Sequence, residues 1–152
     1  MATERPNKNP YSQFNFVVEI DGQQIAGFSE VSGLDSENSP FEYRAGNDPI
    51  NAVRKLPGME QYPNASFKRG ITGSLALWEW RNEVRNGGAG FPPYRTVVIK
   101  LLNEQSDEGT PAMTWTLYNA WPTKLSGPTL SATSNEYAVE TLEVCYDRLD
   151  IS

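Results

Sequence analysis

Several short stretches of the chain alternate apolar with polar residues, which is the pattern of a β-strand with one buried face. In residues 11–20 one parity carries Phe14, Phe16, Val18 and Ile20, and the other carries Gln13, Asn15 and Glu19. Asp21-Gly22 follows at once and predicts a hairpin turn, because these residues adopt positive φ readily. The partner strand is predicted over residues 24–31. Further strands are predicted over residues 41–45, 65–71, 95–102, 113–121, 124–132 and 137–147, with Pro122 ending the fourth of these.

A helix is predicted over residues 75–86. Leu77, Trp80, Arg81 and Val84 stand at i, i+3, i+4 and i+7, and Gly87 follows as a C-terminal stop. Many short strands with one helix indicate a mainly β fold, an antiparallel β-sandwich or barrel with one α-helix. The chain of 152 residues has the size of a single domain, residues 1–152, with residues 1–10 as a flexible polar N-terminal segment.

Residues 46–64 lack any periodicity. Pro49, Pro57, Gly58 and Pro63 interrupt every attempt to continue a strand through them. Because the flanking residues are strand-like on both sides, we expect a long loop that projects from a hairpin. Structureless connections longer than about 12 to 15 residues are usually functional or disordered. The residues alone leave a passive flexible insertion as an equal alternative.

Composition narrows the class of protein. With 38% hydrophobic and 21% charged residues the chain is that of a soluble globular protein, and no apolar run approaches the roughly 20 residues that span a bilayer. We therefore expect no membrane insertion of the isolated subunit. The net charge is −6 and the basic residues are scattered, which disfavours nucleic-acid binding. The N-terminus lacks an apolar signal region, which predicts assembly in the cytoplasm.

Candidate catalytic groups are few. Histidine is absent, which excludes hydrolytic triads and histidine-containing zinc sites. The single cysteine, Cys145, forms no internal disulfide and is expected to be a small buried residue of a strand. Glu136, Glu140 and Glu143 are the acids that a glycosidase would need, but on a strand they are expected to line a solvated or subunit-facing surface. We predict no enzyme activity, no catalytic residue, no metal and no cofactor.

Short motifs occur in a fixed order along nearly the whole chain, and together they resemble one family. These motifs are Phe28–Leu34, Tyr43–Gly46, Lys55–Gly58, Phe67–Gly70, the helix with Leu77 and Trp78, Asn119–Lys124 and Asn135–Leu149. The chain resembles the tube proteins of contractile phage tails, pyocins and extracellular contractile injection systems, which are related to the haemolysin-coregulated protein. Asp147-Arg148 departs from the Glu-Gly of many relatives, so the end of the last strand is expected to differ.

The resemblance implies a structural subunit. It implies hexameric rings that stack into a hollow tube inside a contractile sheath, and sheath contraction that drives the tube through a target envelope. The implied partners are other copies of the chain, the sheath protein, baseplate or spike and tube-terminating proteins, and protein cargo in the lumen. The implied location is a phage tail-like particle that is extracellular or membrane-anchored.

The resemblance also assigns roles to residues. It places the contact between successive rings in the loop, at Asp48, Arg54, Lys55, Leu56, Pro57, Gly58, Met59 and Tyr62. We expect a second set to face the lumen from the polar side of a strand pair, namely Glu42, Arg44, Ser66 and Lys68.

Other functions stay open at this point. Within the family, a phage virion tail tube or a baseplate tube-initiator subunit differs from a repeating tube subunit by context and copy number. From another class, a carbohydrate-binding β-sandwich would use exposed coplanar aromatic rings, and the chain has four tryptophans. Trp78 and Trp80 on the helix and Trp115 in a strand are expected to serve core packing instead.

Overall fold

The computed structural model describes residues 15–25, 27–47, 49–87, 93–103, 111–133 and 135–152. The N-terminal segment 1–10 lies outside these described residues. In chain order the elements are β1 (Phe16–Ile20), β2 (Gln23–Ile25), β3 (Phe28–Ser32), β4 (Glu37–Tyr43), β5 (Arg54–Gln61), β6 (Ala65–Gly70), α1 (Ala76–Asn86), β7 (Arg95–Leu101), β8 (Met113–Ser126), β9 (Val139–Cys145) and β10 (Arg148–Ile151). The predicted mainly β, antiparallel fold with one helix is confirmed.

The first sheet has the order β2-β1-β7-β8, and β10 also pairs with β8. Asp21 and Gly22, at φ 52° and 77°, form the turn between β1 and β2, so the predicted hairpin is confirmed. The predicted partner strand 24–31 is instead two strands. β2 ends at Ile25, Gly27 has a φ of 90°, and β3 pairs with β6 in the second sheet. The chain therefore passes from one sheet to the other at this corner.

The second sheet has the order β3-β6-β9-β8. Strand β8 belongs to both sheets, because its first part pairs with β7 and β10 and residues Trp121–Ser126 pair with β9. Asn119, with a φ of 54°, lies within the register shift between β7 and β8, and a second shift separates Pro122 from Lys124 in the pairing with β9. The predicted end at Pro122 and the separate strand 124–132 are therefore wrong. A proline is tolerated there because the outer edge of Trp121–Ser126 pairs with no strand of the described chain.

One core fills the space between the sheets and under α1. Its buried apolar residues are Val18, Ile20, Ala65, Phe67, Leu77, Trp80, Val97, Ile99, Leu117, Ala120, Leu142, Val144, Tyr146 and Leu149. The indole Nε1 of Trp80 donates to the carbonyl oxygen of Pro93 at 3.0 Å, and the Arg95 guanidinium lies 5.2 Å from the Trp80 ring centroid. The helix ends at Gly87 in the left-handed region, as its sequence predicts.

Residues 46–64 do not form the structureless loop that the sequence predicts. They contain β5, which pairs with β4 in a separate two-stranded sheet, so β4 does not pair with β6. Pro40 lies opposite Pro57, and both are tolerated because neither strand has a second neighbour in the described chain. A Cβ atom added to Gly58 would clash with the carbonyl oxygen of Ser39, so this bulge requires glycine.

Tyr146, the core residue directly after β9, gives the fold a pH dependence. Tyr146 is buried and its hydroxyl donates to the carbonyl oxygen of Gly33 at 3.3 Å. Burial, aided by the negative charge of Asp35, raises the pKa of Tyr146 to about 12 from 10.0. The folded state thus holds this proton more tightly than the unfolded state does. Its stabilising contribution is complete below pH 10 and falls as the pH rises to about 12.

We expect the free energy of unfolding of the native protein to fall by on the order of 1 to 2 kcal/mol through this window. Tyr146→Phe should lack that decline, although it loses about 1 kcal/mol at every pH with the hydroxyl's hydrogen bond. Urea unfolding at a series of pH values measures both effects. Tyr137→Phe, at a side chain that is 94% exposed, is the matched control and should follow the native protein. A Tyr146→Phe curve with the native decline would contradict the assignment.

Candidate functional site

The hairpin of β4 and β5 exposes both of its faces. Every residue of β4 is exposed, and every residue of β5 except the half-buried Gly58 is exposed. An isolated two-stranded ribbon is only marginally stable in water. The hairpin extends from the end of the second sheet at which β3 finishes at Ser32 and β6 begins at Ala65. We call this end of the second sheet the hairpin end.

One face of the hairpin is apolar. Phe41 and Leu56 are cross-strand partners, and Tyr43 follows on the same face opposite Arg54. These three side chains, which we call the hairpin apolar face, are 59%, 46% and 50% exposed in the order Phe41, Leu56 and Tyr43. The other face pairs Glu42 with Lys55. An amphipathic ribbon of this kind has its apolar side prepared for a partner.

The residues expected to contact the next ring fall into three places. Those from Arg54 to Met59 lie on β5 in the hairpin. Tyr62 lies at the base of the hairpin, where its ring is 5.8 Å from that of Tyr146 and its hydroxyl donates to Glu60 Oε2 at 2.7 Å. That hydrogen bond to a carboxylate raises the pKa of Tyr62. Asp48 lies outside the described residues.

The residues expected to face the lumen do not form one strand pair. Glu42 lies on β4 and Arg44 directly follows that strand, inside the hairpin, whereas Ser66 and Lys68 lie on β6. That expected pairing is wrong, because β4 pairs with β5. On the second sheet, side chains of the parity opposite to the core form a polar face. It includes Glu30, Ser66, Lys68, Lys124, Thr141 and Glu143.

The second sheet has two open edges. Strand β3 pairs with β6 on one side only, and residues Trp121–Ser126 of β8 pair with β9 on one side only, within the part of the chain that the structure describes. Open edges present unpaired backbone donors and acceptors, which are templates for another strand. The two edges lie on opposite sides of the sheet, so they suit a head-to-tail contact between copies.

The acids of the catalytic alternative are spread over three environments. Glu140 Oε1 lies 2.6 Å from Nε of Arg69, which is buried. Glu143 accepts a hydrogen bond of 3.1 Å from Nδ2 of Asn64, and Glu136 is exposed near the loop before β9. Glu140 therefore serves a structural ion pair and does not line the open surface that the sequence predicts.

Comparison with known proteins decides the family. The model of the family described as T4-like virus tail tube protein gp19 matches residues 12–150 of the chain. The chain belongs to this tail tube protein family. The match spans almost the whole sequence, so the resemblance that the motifs indicate is confirmed. No curated protein matches this tail tube protein.

Solved structures give the same result for the tail tube protein. A chain from the sheath–tube complex of PVC, an extracellular contractile injection system, is 31% identical, with 94% of this chain and 91% of that chain covered and a TM-score of 0.80. A chain from the tube-terminating cap of the anti-feeding prophage is 32% identical, with coverages of 95% and 91% and a TM-score of 0.82. Hcp1 from Flavobacterium johnsoniae, at 14% identity, coverages of 91% and 94% and a TM-score of 0.59, shows the fold alone.

The tail tube protein also exposes apolar residues that the sequence does not single out. Leu130 is 82% exposed and Tyr137 is 94% exposed, both in the segment between β8 and β9. That segment has no periodicity, so nothing in it separates a buried from an exposed apolar side chain. Among the described residues, no helix has the length and apolar character to span a membrane.

Proposed function

We propose that this tail tube protein is the repeating subunit of the inner tube of a contractile injection system, and that it forms hexameric rings stacked into a hollow tube. The observation that carries the proposal is the pair of open edges on the second sheet, at β3 and at Trp121–Ser126. When the β3 edge of one copy pairs with the β8 edge of the next, each copy donates one edge and accepts the other. A head-to-tail contact of this kind forms a closed ring when the rotation from one copy to the next divides a full turn evenly.

Ring closure joins the second sheets into one continuous surface. One face of each sheet packs on its own core, where Phe67 and Leu142 are buried. The polar face, with Ser66 and Lys68 among its members, is then free to line a water-filled lumen. The pairing of Lys68 Nζ with Glu30 Oε2 at 3.5 Å places both signs of charge on that face. Glu42 and Arg44 stand apart from it at the hairpin, and we assign them to the ends of the ring.

The hairpin supplies the contact between rings. Its strands of seven and eight residues, at about 3.3 Å per residue, give it a reach of roughly 23 Å or more. Arg54 to Met59 lie along that reach, and Tyr62 braces its base. The apolar face of the hairpin gains stability by burial only when another copy covers it.

The proposed role is mechanical, with no covalent chemistry in the subunit. Sheath contraction drives the assembled tube through a target envelope, and protein cargo travels in the lumen. The sheath protein, a tube-terminating protein and the baseplate are the proposed partners, since the similar chains come from complexes with those names. We propose assembly in the cytoplasm and a mature place in an extracellular particle.

Cryo-electron microscopy of the purified, untagged full chain tests this function. We expect rings and tubes with sixfold symmetry, and a reconstruction in which Ser66 and Lys68 face the bore. Monodisperse monomers at high concentration would contradict the proposal. If such monomers also bound glycans, the carbohydrate-binding function would take its place. Counting copies in an isolated particle separates the repeating subunit from a tube-initiator, because the initiator forms one ring only.

A further inference from the structure

The second sheet has an apolar surface at each of its two ends. The hairpin leaves from the hairpin end, after Ser32 and before Ala65. At the opposite end β6 finishes at Gly70 beside Val139, the first residue of β9, and β8 finishes at Ser126. The antiparallel register therefore places residues 71–75, 127–133 and 135–138 at the end away from the hairpin. We call this the loop end.

The loop end carries a cluster of exposed apolar side chains. Its large members are Ile71, Leu75, Leu130, Tyr137 and Val139, with exposed fractions between 44% and 94%. The backbone N–H of Ile71 donates to the carbonyl oxygen of Ala138 at 3.0 Å, so the two segments lie side by side. Within this cluster, residues 128–131 and 136–139 line an open cavity of about 300 Å³. A cavity of this size is large enough for an aromatic side chain.

We propose that this cavity receives the hairpin apolar face of a copy in the neighbouring ring. The inference rests on the proposed tube assembly and names the surface that the hairpin contacts. Phe41 and Tyr43 are the anchors, and Leu130 and Tyr137 form the apolar wall of the receiving cavity. Large aromatic anchors that become buried are a common source of binding energy at protein interfaces.

Stacking geometry favours this occupant. Rings that stack in one direction use two different surfaces, one on each end, and the two must complement each other. The exposed large apolar residues of the described chain fall mainly into two groups, the hairpin with its connecting loop and the loop end. Each group lies at one end of the same sheet. A second copy is thus the partner whose apolar surface has the matching position.

Charge complementarity agrees with the same pairing. Glu136 lies on the wall of the cavity and is exposed. The hairpin carries Arg54 on the same face as Tyr43 and Leu56, and Lys55 on the opposite face. When the hairpin apolar face enters the cavity, the Glu136 carboxylate of one copy meets the Arg54 guanidinium of the other at the rim. Opposite charges at a rim steer association and fix its register more than they raise affinity.

Mixing two kinds of purified ring tests the proposal. The hairpin variant combines Phe41→Arg with Leu56→Arg, and the cavity variant combines Leu130→Arg with Tyr137→Arg. Each should form single rings and no tubes. Mixed in equal amounts, they should form particles of two rings only. The intact hairpins of the cavity variant bind the intact cavities of the hairpin variant, and the two outer surfaces of the pair carry the arginine substitutions, which prevent further stacking. Sedimentation would show a doubling of mass, and electron microscopy would show the paired rings.

The other possible results count either against the docking site or against the proposed function. Long tubes from the cavity variant alone, or single rings only in the mixture, would overturn it while the tube function stands. A native chain that forms neither rings nor tubes would instead overturn the proposed function. Tyr94→Arg, at an exposed aromatic residue outside both surfaces, is the control and should still form tubes. Equal melting temperatures for all variants show that each folds.

A cross-link gives an independent measurement. In a Cys145→Ser background, Tyr43→Cys with Leu130→Cys should form disulfides between rings, which appear as a ladder of covalent multimers on non-reducing gels of oxidised tubes. Tyr43→Cys with Tyr94→Cys should give no ladder. Tubes in which the first pair also fails to cross-link would overturn the assignment, because disulfides form only when the Cα atoms approach within about 7 Å.

Discussion

Replacement of residues 39–59 with the dipeptide Asn-Gly is expected to leave folded rings and to abolish tubes. Asn38 and Glu60 are cross-strand partners, so a two-residue type I′ turn joins them without a change of register. The described residues that the replacement removes are exposed, except for the half-buried Ala45 and Gly58, and none belongs to the core. The melting temperature should therefore stay close to that of the native chain.

The shortened protein loses the whole hairpin apolar face together with Ile50 and Met59, which are 71% and 81% exposed. Without these side chains a ring has nothing apolar to insert into its neighbour, so stacking should stop at the single ring. Electron microscopy and sedimentation measure the outcome. Glu42→Gln changes the opposite face of the same hairpin and should preserve tubes. Full-length tubes from the shortened protein would show that the hairpin does not join the rings.

The sequence predicts those elements that local chemistry determines. Asp21-Gly22 supplies the two positive φ values of a type I′ turn, and Gly87 supplies the left-handed residue that ends α1. The turn and the helix end each depend only on residues a few positions apart along the chain. The division of residues 24–31 between two sheets is not local, since it depends on β3 finding β6 nearly forty residues away along the chain.

Prolines account for two of the wrong element assignments. Pro57 lies inside β5 and Pro122 lies inside β8, where the sequence predicts a loop and a strand end. A proline is acceptable in a strand whose outer side has no neighbour, because no backbone donor is then missing from the ladder. A single sequence does not show which strands lie at an edge. In a single sequence a proline is therefore equally compatible with the end of a strand and with the interior of an edge strand.

The candidate site was only partly predictable for a related reason. The resemblance picks out Lys55–Gly58, but Phe41 and Tyr43 alternate with polar residues in the same way as a strand that packs on its own core. The structure leaves both side chains exposed. The alternating pattern shows that one face of a strand is apolar. It does not show whether that face is buried by the same chain or by another copy.

Glu140→Ala is expected to destabilise the fold by about 3 to 5 kcal/mol. Arg69 is 3% exposed, and its two described partners are Glu140 Oε1, 2.6 Å from Nε, and the carbonyl oxygen of Ser74, 3.0 Å from Nη2. Removing the carboxylate leaves a buried positive charge with one neutral acceptor. For a domain of this size the loss corresponds to a fall in melting temperature of roughly 6 to 20 °C.

Two further variants distinguish the destabilisation caused by an unpaired Arg69 charge from the net contribution of the Arg69–Glu140 ion pair to stability. Arg69→Met combined with Glu140→Leu removes both charges and should recover most of the stability, because a buried ion pair contributes little net free energy relative to apolar residues of similar size. Glu19→Ala breaks the partly exposed pair with Lys100, 2.9 Å away, and should cost about 1 kcal/mol or less. Urea unfolding measures all three. If Glu140→Ala cost no more than Glu19→Ala, the Arg69 charge would have water or another partner, and its burial between β6, β9 and the turn before α1 would not impose the expected penalty.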